Sequence, residues 1–231
     1  MIKINLKNKV RKNYSYFNNI IYSYLLKNYR KQIFKIFLEN IKIKKTYKVI
    51  DIGTTAVDSL SENYFLHNYP YKKNITCFSN QKLKILKKKY PFLKIKQGDG
   101  RRTNLPSNSY EIVHSNATIE HVGSFYNQSM FVKELYRISK KFVFIQTPNR
   151  FFPIDFHTLI PFIHLLPKNL HRKILKIIGL NFISKEENLN LLTINDLLKI
   201  CINEKFKNFY IKKIKIFGLT SNIILVLKKI N

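Results

Sequence analysis

Acidic side chains are scarce. There are 13 of them against 42 lysines and arginines, for a formal net charge of +29 over 231 residues. A balance of this kind attracts anions such as nucleic acid or a membrane surface. The same excess arises from AT-rich coding, and lysine, isoleucine, asparagine, tyrosine and phenylalanine are all plentiful here. The lysines are spread through most segments and not gathered in one block. Cysteine is scarcer still. Cys77 and Cys201 lie far apart without metal-ligand spacing, so no disulfide framework is expected, and free thiols in a reducing, cytoplasmic compartment are. Long apolar runs are also lacking. The longest, around 159–166 and 223–227, are too short to span a bilayer. Residues 1–13 are basic and polar with no apolar core behind them, unlike a secretory signal. No internal repeat is visible. The length suffices for one α/β domain with a full core.

The stretch around which the chain is organised is Val49-Ile50-Asp51-Ile52-Gly53-Thr54-Thr55. Its β-branched residues suit a strand over 47–52 that is covered on both faces, as in a parallel sheet. Gly53 lets the backbone turn sharply and come close to a ligand. Ligands of open parallel sheets bind at the carboxyl ends of strands. Strands are expected further on over 74–79, 92–97, 110–115 and 141–146, with helices over 19–40, 59–69, 81–89 and 124–139 between them. Residues 151–191 break this alternation and read as a proline-punctuated, apolar and basic helical insertion. Two capping-box patterns follow, Ser184 to Glu187 and Thr193 to Asp196. The second begins a helix over 194–204. Strands over 209–217 and 222–227, joined at Gly218, are expected to form an antiparallel hairpin.

The Asp51-Ile52-Gly53-Thr54-Thr55 turn resembles the first motif of class I S-adenosylmethionine (SAM) dependent methyltransferases of the type 11-like group, with Thr55 where the second glycine is usual. Further motifs follow in the order and spacing of that family: Gly98-Asp99-Gly100, Leu105-Pro106, Ser109 to Val113, Glu120-His121-Val122, Glu134 to Ile138 and Thr147-Pro148-Asn149. The resemblance implies a Rossmann-like α/β fold, mostly parallel with a C-terminal antiparallel hairpin. It implies one domain, with an N-terminal arm and helix (1–45), a SAM-binding core (46–150), a helical lid insertion (151–191) and a C-terminal helix and hairpin (192–231). It also implies SAM as cofactor, with Asp51, Gly53, Thr54 and Thr55 at its methionine end, Asp99 and Gly100 at its adenine, and Asn116 beside the methyl. Ser79 stands in the slot where the family has the carboxylate that holds the ribose. Serine lacks that bidentate acceptor. This departure also argues against a dinucleotide dehydrogenase, which needs the same carboxylate.

The run from Thr147 to Arg150 and on through Pro153, Asp155, His157, Pro161, His164 and Pro167 is similar to a subgroup with a proline-framed apolar segment. Asp155 and His157 would position or deprotonate a hydroxyl, or pin the insertion to the body. His121 would act as a base or pack against the cofactor, and Glu120 is expected to be structural. No metal ligands are expected. The implied activity is methyl transfer, preferably to oxygen, on a small-molecule, glycan or lipid-linked acceptor, with contact at a membrane surface compatible with the charge. A nucleic-acid-modifying methyltransferase and a SAM-fold protein that binds without catalysing are the alternatives.

Overall fold

The structure, a computed structural model, describes residues 20–59 and 62–229, with the side chains of the first helix described from residue 28 onward. The N-terminal arm expected ahead of the 19–40 helix, and the first side chains of that helix, lie outside the described residues. In chain order the elements are α1 (Ile20–Asn40), β1 (Val49–Ile52), α2 (Tyr64–Asn68), β2 (Ile75–Ser79), α3 (Lys84–Lys89), β3 (Lys94–Gln97) and β4 (Tyr110–Asn116). They continue with α4 (Phe125–Ile138), β5 (Ser139–Pro148), α5 (Lys168–Ile177), α6 (Ile194–Asn203), β6 (Phe209–Ile216) and β7 (Leu219–Lys228).

The seven strands form one sheet in the order β3-β2-β1-β4-β5-β7-β6. The first five are parallel, and β7 runs antiparallel to both β5 and β6. The sheet is therefore the expected one, closed by a hairpin. Phe217 and Gly218 both have positive φ, 49° and 79°, the pairing that a tight hairpin turn needs. The strand order reverses direction between β1 and β4, so the crevice above these two strands is where a ligand of such a sheet binds.

Every residue of β1 is buried, because its side chains alternate between two cores. Ile50 and Ile52 join Val113, Phe131, Leu135, Ile145, Leu197 and Leu225 on the α4 and α6 face. Val49 joins Ile33, Phe37, Phe65, Leu66, Leu86, Ile112 and Phe144 on the α1, α2 and α3 face. Cys77 and Cys201 are buried free thiols in these two separate cores, so the sheet itself keeps them from pairing.

The region from 151 to 191 is less helical than expected. It holds one α-helix, α5, and a single 3-10 turn, Ile163–Leu165. The Ser184 to Glu187 capping box begins no helix. Ser184 Oγ donates to the Asn181 carbonyl at 2.9 Å, and Glu186 is drawn into an ion pair with Arg172 at 3.0 Å. Leu175, Ile183, Leu189 and Leu191 nevertheless form a small core of their own, which explains why this stretch carries so many apolar residues. The Thr193 box is real: Thr193 Oγ1 accepts from the Asp196 N–H at 3.2 Å, and Asp196 Oδ2 accepts from the Thr193 N–H at 2.8 Å. Helices expected from residues 59 and 81 begin later, at Tyr64 and Lys84. Asn63 and Gln81, just before them, bind the loop around the β1 turn instead.

Candidate active site

The turn after β1 is held from both sides. Gly53 has φ +96°, and a Cβ there would fall onto the side chain of Thr118. Glycine is required at this position by conformation and by space. Asp51, almost fully buried, accepts at one carboxylate oxygen from Thr54 Oγ1 at 2.9 Å and lies 2.6 Å from His114 Nδ1 at the other. His114 is itself buried and stacked on Phe65 with 3.8 Å between ring centroids. Asp51 thus orders the turn through Thr54, and is itself fixed by a histidine that the sequence marks only as lying inside a strand. Thr55 stands in place of the family's second glycine. Asn63 braces the loop that results, donating to the carbonyls of Thr55 and Val57 at 3.0 and 2.8 Å and accepting from the Thr55 N–H at 3.3 Å.

Above this turn lies an open cleft. Asp51, Gly53, Thr54 and Asn116 line it, together with Arg30 and Phe34 of α1 and Tyr64 of α2. Thr55 does not; its hydroxyl accepts from the Val57 N–H at 3.3 Å. Ser79 and Asp99 lie outside this cleft, farther along the carboxyl edge, after adjacent strands. The Ser79 hydroxyl accepts from the Gln81 N–H at 3.1 Å. The Asp99 carboxylate is held by the Arg101 side chain and N–H, at 2.8–3.0 Å. These hydrogen bonds draw its pKa below the ordinary carboxylate value against the opposing effect of burial. Gly100 has a packing reason as well: a Cβ there would lie 2.7 Å from the Phe131 ring.

A second group of polar residues stands at the ends of β4 and β5. Glu120, in the 3-10 turn Ile119–His121, is fully buried. Its Oε2 accepts from Thr147 Oγ1 at 3.0 Å, while its Oε1 has no hydrogen-bond partner. His157 reaches the same place from the 151–191 segment, with Nε2 at 3.9 Å from Glu120 Oε1. Asp155 accepts from the His157 N–H at 3.0 Å, from its Nδ1 at 2.9 Å and from Thr158 Oγ1 at 2.9 Å. Burial alone would raise the Asp155 pKa, but these donors and the His157 charge draw it down to about 2. Burial likewise opposes charge on His157. The hydrogen bond to Asp155 and the Asp155 and Glu120 charges outweigh it and leave the His157 pKa raised. His121 stands at the open side, its ring 4.9 Å from that of His157. The fold therefore unites the three expected catalytic residues, His121, Asp155 and His157, and adds Glu120 to them.

Beyond Glu120 lies a second, smaller pocket, walled by Arg150, Lys168, Arg172, His164, His171 and Asn190. Asn190 links it to the cluster: its N–H donates to the Glu120 carbonyl at 2.7 Å, and its Oδ1 accepts from Lys168 Nζ at 2.7 Å.

Residues 49–144 match the family model described as a methyltransferase domain. No curated protein sequence matches the chain. Among solved structures, similar ones include a SAM-dependent methyltransferase of Thermotoga maritima, described as a possible histamine N-methyltransferase. It has a TM-score of 0.57 and 16% identity over 93% of this chain and 97% of that one. A SAM-dependent methyltransferase of Mesorhizobium loti superposes with a TM-score of 0.59 and 8% identity, over 84% and 96% of the two chains. The phosphoethanolamine N-methyltransferase 2 of Haemonchus contortus, solved with SAM, gives 0.56 and 12% identity over 80% of this chain and 38% of that one. The fold is that of these enzymes, and residues 49–144 match their methyltransferase domain.

The cleft residues suit SAM. Arg30 turns Nε and Nη1 into the protein without any hydrogen-bond partner, and Asn116 Oδ1 is likewise unpartnered. A guanidinium with two free donors matches a carboxylate such as that of the methionine moiety. No sequence motif marks Arg30; it lies on α1, before the matched segment, and only the packing of α1 over the sheet brings it to the Gly53 turn.

Proposed function

We propose that the chain transfers the SAM methyl group to a hydroxyl oxygen of an acceptor carrying an anionic group, as a phosphorylated glycan or lipid-linked precursor does. SAM supplies the methyl as a sulfonium electrophile. The observation that carries the reading is the Asp155–His157 pair beside the cofactor cleft. Asp155 accepts from His157 Nδ1 and so orients the ring, and in the neutral form of the ring Nε2 is the nitrogen that takes the hydroxyl proton. Hydroxyl methylation needs such a base, whereas methylation of a carboxylate does not. Residues 151–191 act in this reading as the lid that shields the methyl and builds the acceptor pocket. Two features support the acceptor class. The cavity next to Glu120 is walled by Arg150, Lys168 and Arg172, cations suited to a phosphate. The outer surface of the same segment exposes Ile177, Ile178 and Phe182 among lysines, which suits an acceptor presented at a lipid surface.

His157→Ala tests it. Turnover should fall about 10²–10⁴-fold, the usual contribution of a general base, while SAM affinity measured by titration calorimetry stays near wild type. Loss of SAM binding along with turnover would mean that His157 holds the fold and not the acceptor.

A further inference from the structure

We propose that Glu120, His121 and His157 form a binding site for one first-row divalent cation of the zinc type. A carboxylate oxygen of Glu120 and one ring nitrogen from each histidine all lie within 4.8 Å of one another. Spacing alone would be thin support, but the hydrogen bonds behind the ligands point the same way. His121 Nδ1 lies 2.6 Å from the Asn188 carbonyl oxygen. A carbonyl only accepts, so Nδ1 of His121 carries the hydrogen and Nε2 is left with its lone pair. His157 Nδ1 is likewise engaged by the Asp155 carboxylate at 2.9 Å, and its Nε2 faces Glu120. Imidazoles that bind metals almost always donate their other ring nitrogen to a carboxylate or carbonyl, which sets the tautomer and orients the ring. Here both rings have that backing, one from each kind of acceptor.

The third ligand supplies the independent observation. Glu120 is fully buried, and its Oε1, the oxygen that faces His157, has no hydrogen-bond partner. A buried carboxylate oxygen in that state calls for a cation. The 3.9 Å from His157 Nε2 to Glu120 Oε1 is close to the separation of two ligands on one tetrahedral ion, roughly 3.3 Å for bonds of about 2.0 Å. The two rings meet edge to face, at 80°, so both can aim a lone pair at one point without stacking. Two imidazole nitrogens with one carboxylate is a donor set for zinc and its neighbours, and not for magnesium or calcium, which take oxygen. His121 lies on the exposed side, which leaves the remaining coordination position open to water or to an acceptor oxygen.

The site belongs to the chain whether or not SAM is bound; its part in catalysis rests on the reading proposed above. With the cation in place, His157 serves as a ligand and not as the base. The cation acidifies the acceptor hydroxyl, whose proton leaves to water. The oxygen's electron pair then forms the new bond to the methyl carbon while the pair of the C–S bond stays on sulfur, with no change in oxidation state. Because Glu120 and His121 follow β4 whereas His157 comes from the 151–191 segment, the cation also ties that segment to the sheet.

The test uses the full chain, stripped with a chelator and titrated with Co²⁺ as the spectroscopic probe and Zn²⁺ by calorimetry, in the absence of SAM. One cation per chain is expected, with the visible absorption of Co²⁺ in a low-coordinate nitrogen and oxygen site and a raised melting temperature. Glu120→Gln and His157→Asn should each abolish the Co²⁺ spectrum. Asp155→Asn, which leaves all three ligands in place and removes the charge that backs His157, should weaken binding about 10–100-fold. If Glu120→Gln fails to fold, His121→Asn on the exposed side carries the same test. No cation uptake by the wild-type chain, or uptake that these variants leave unchanged, overturns the proposal. SAM titration of the same stripped protein keeps the two readings apart. SAM binding without cation uptake sinks only the cation site, and cation uptake without SAM binding sinks only the methyltransferase role.

Discussion

Arg30 is the residue whose substitution tests the cleft as a SAM site. Its guanidinium sits in the cleft above Gly53 with two donors unpartnered, and the family's usual aids to SAM binding are reduced elsewhere. Ser79 lacks the ribose-binding carboxylate, and Asp99 already serves Arg101. Hydrogen bonds to a charged group contribute about 1.5–3 kcal/mol each. Arg30→Ala should therefore weaken SAM on the order of 10–100-fold with little loss of thermal stability, because Nε and Nη1 have no hydrogen-bond partner to leave behind. Calorimetric titration beside a melting curve checks both halves. Unchanged SAM affinity would show that the carboxylate of the cofactor lies elsewhere. Nothing local in the sequence could have marked this arginine. It is one basic residue among 42, and only the packing of α1 brings it to the Gly53 turn. Asp51 and Gly53 were legible for the opposite reason: their roles are set within a few residues of backbone.

At the scale of elements, the two capping-box patterns make a comparison. Both satisfy the same sequence rule, and only Thr193 starts a helix. Its box closes because α6 has an apolar face to bury, with Leu197, Ile200 and Cys201 packed in the sheet core. Ser184 has no such helix behind it, and its neighbours are taken by Arg172 and by the small core of the 151–191 segment. Thr193→Ala should cost about 0.5–2 kcal/mol of stability, the usual loss of an N-cap, seen as a lower urea midpoint with unchanged slope. Ser184→Ala should leave the midpoint nearly where it was. Equal losses at both sites would contradict this account of the caps.

For the whole molecule, the scarcity of carboxylates makes each one count. Glu134 on α4 accepts from the Thr103 N–H at 2.8 Å and from Arg137 Nε and Nη2 at 2.7 and 2.8 Å, tying the loop before β4 to the helix that follows it. Burial raises its pKa, but the bonds from Arg137 and Thr103 outweigh burial and leave it below the ordinary value. Its contribution to stability is complete above the unfolded glutamate pKa of about 4.3 and disappears as pH falls through the lower folded value. Glu134→Gln should lower stability by about 1–3 kcal/mol near neutrality and flatten the acid limb of a stability-against-pH curve. A variant whose acid limb is as steep as that of wild type would assign the effect to another carboxylate.

The order of strands and helices, the hairpin at Gly218 and the turn at Gly53 were all legible along the chain, because side-chain period, β-branching and glycine's backbone freedom act over a few residues. So was the closeness of Asp155 and His157, two positions apart on one loop. The company these residues keep came only with the folded layers. Arg30 meets Gly53 because α1 folds over the β1–β4 crevice, His114 meets Asp51 because their strands run side by side in register, and Glu120 meets His157 because the 151–191 segment folds back onto the end of β4. Contacts of this kind join residues tens of positions apart. They depend on how whole layers pack, a quantity to which no single stretch of sequence corresponds.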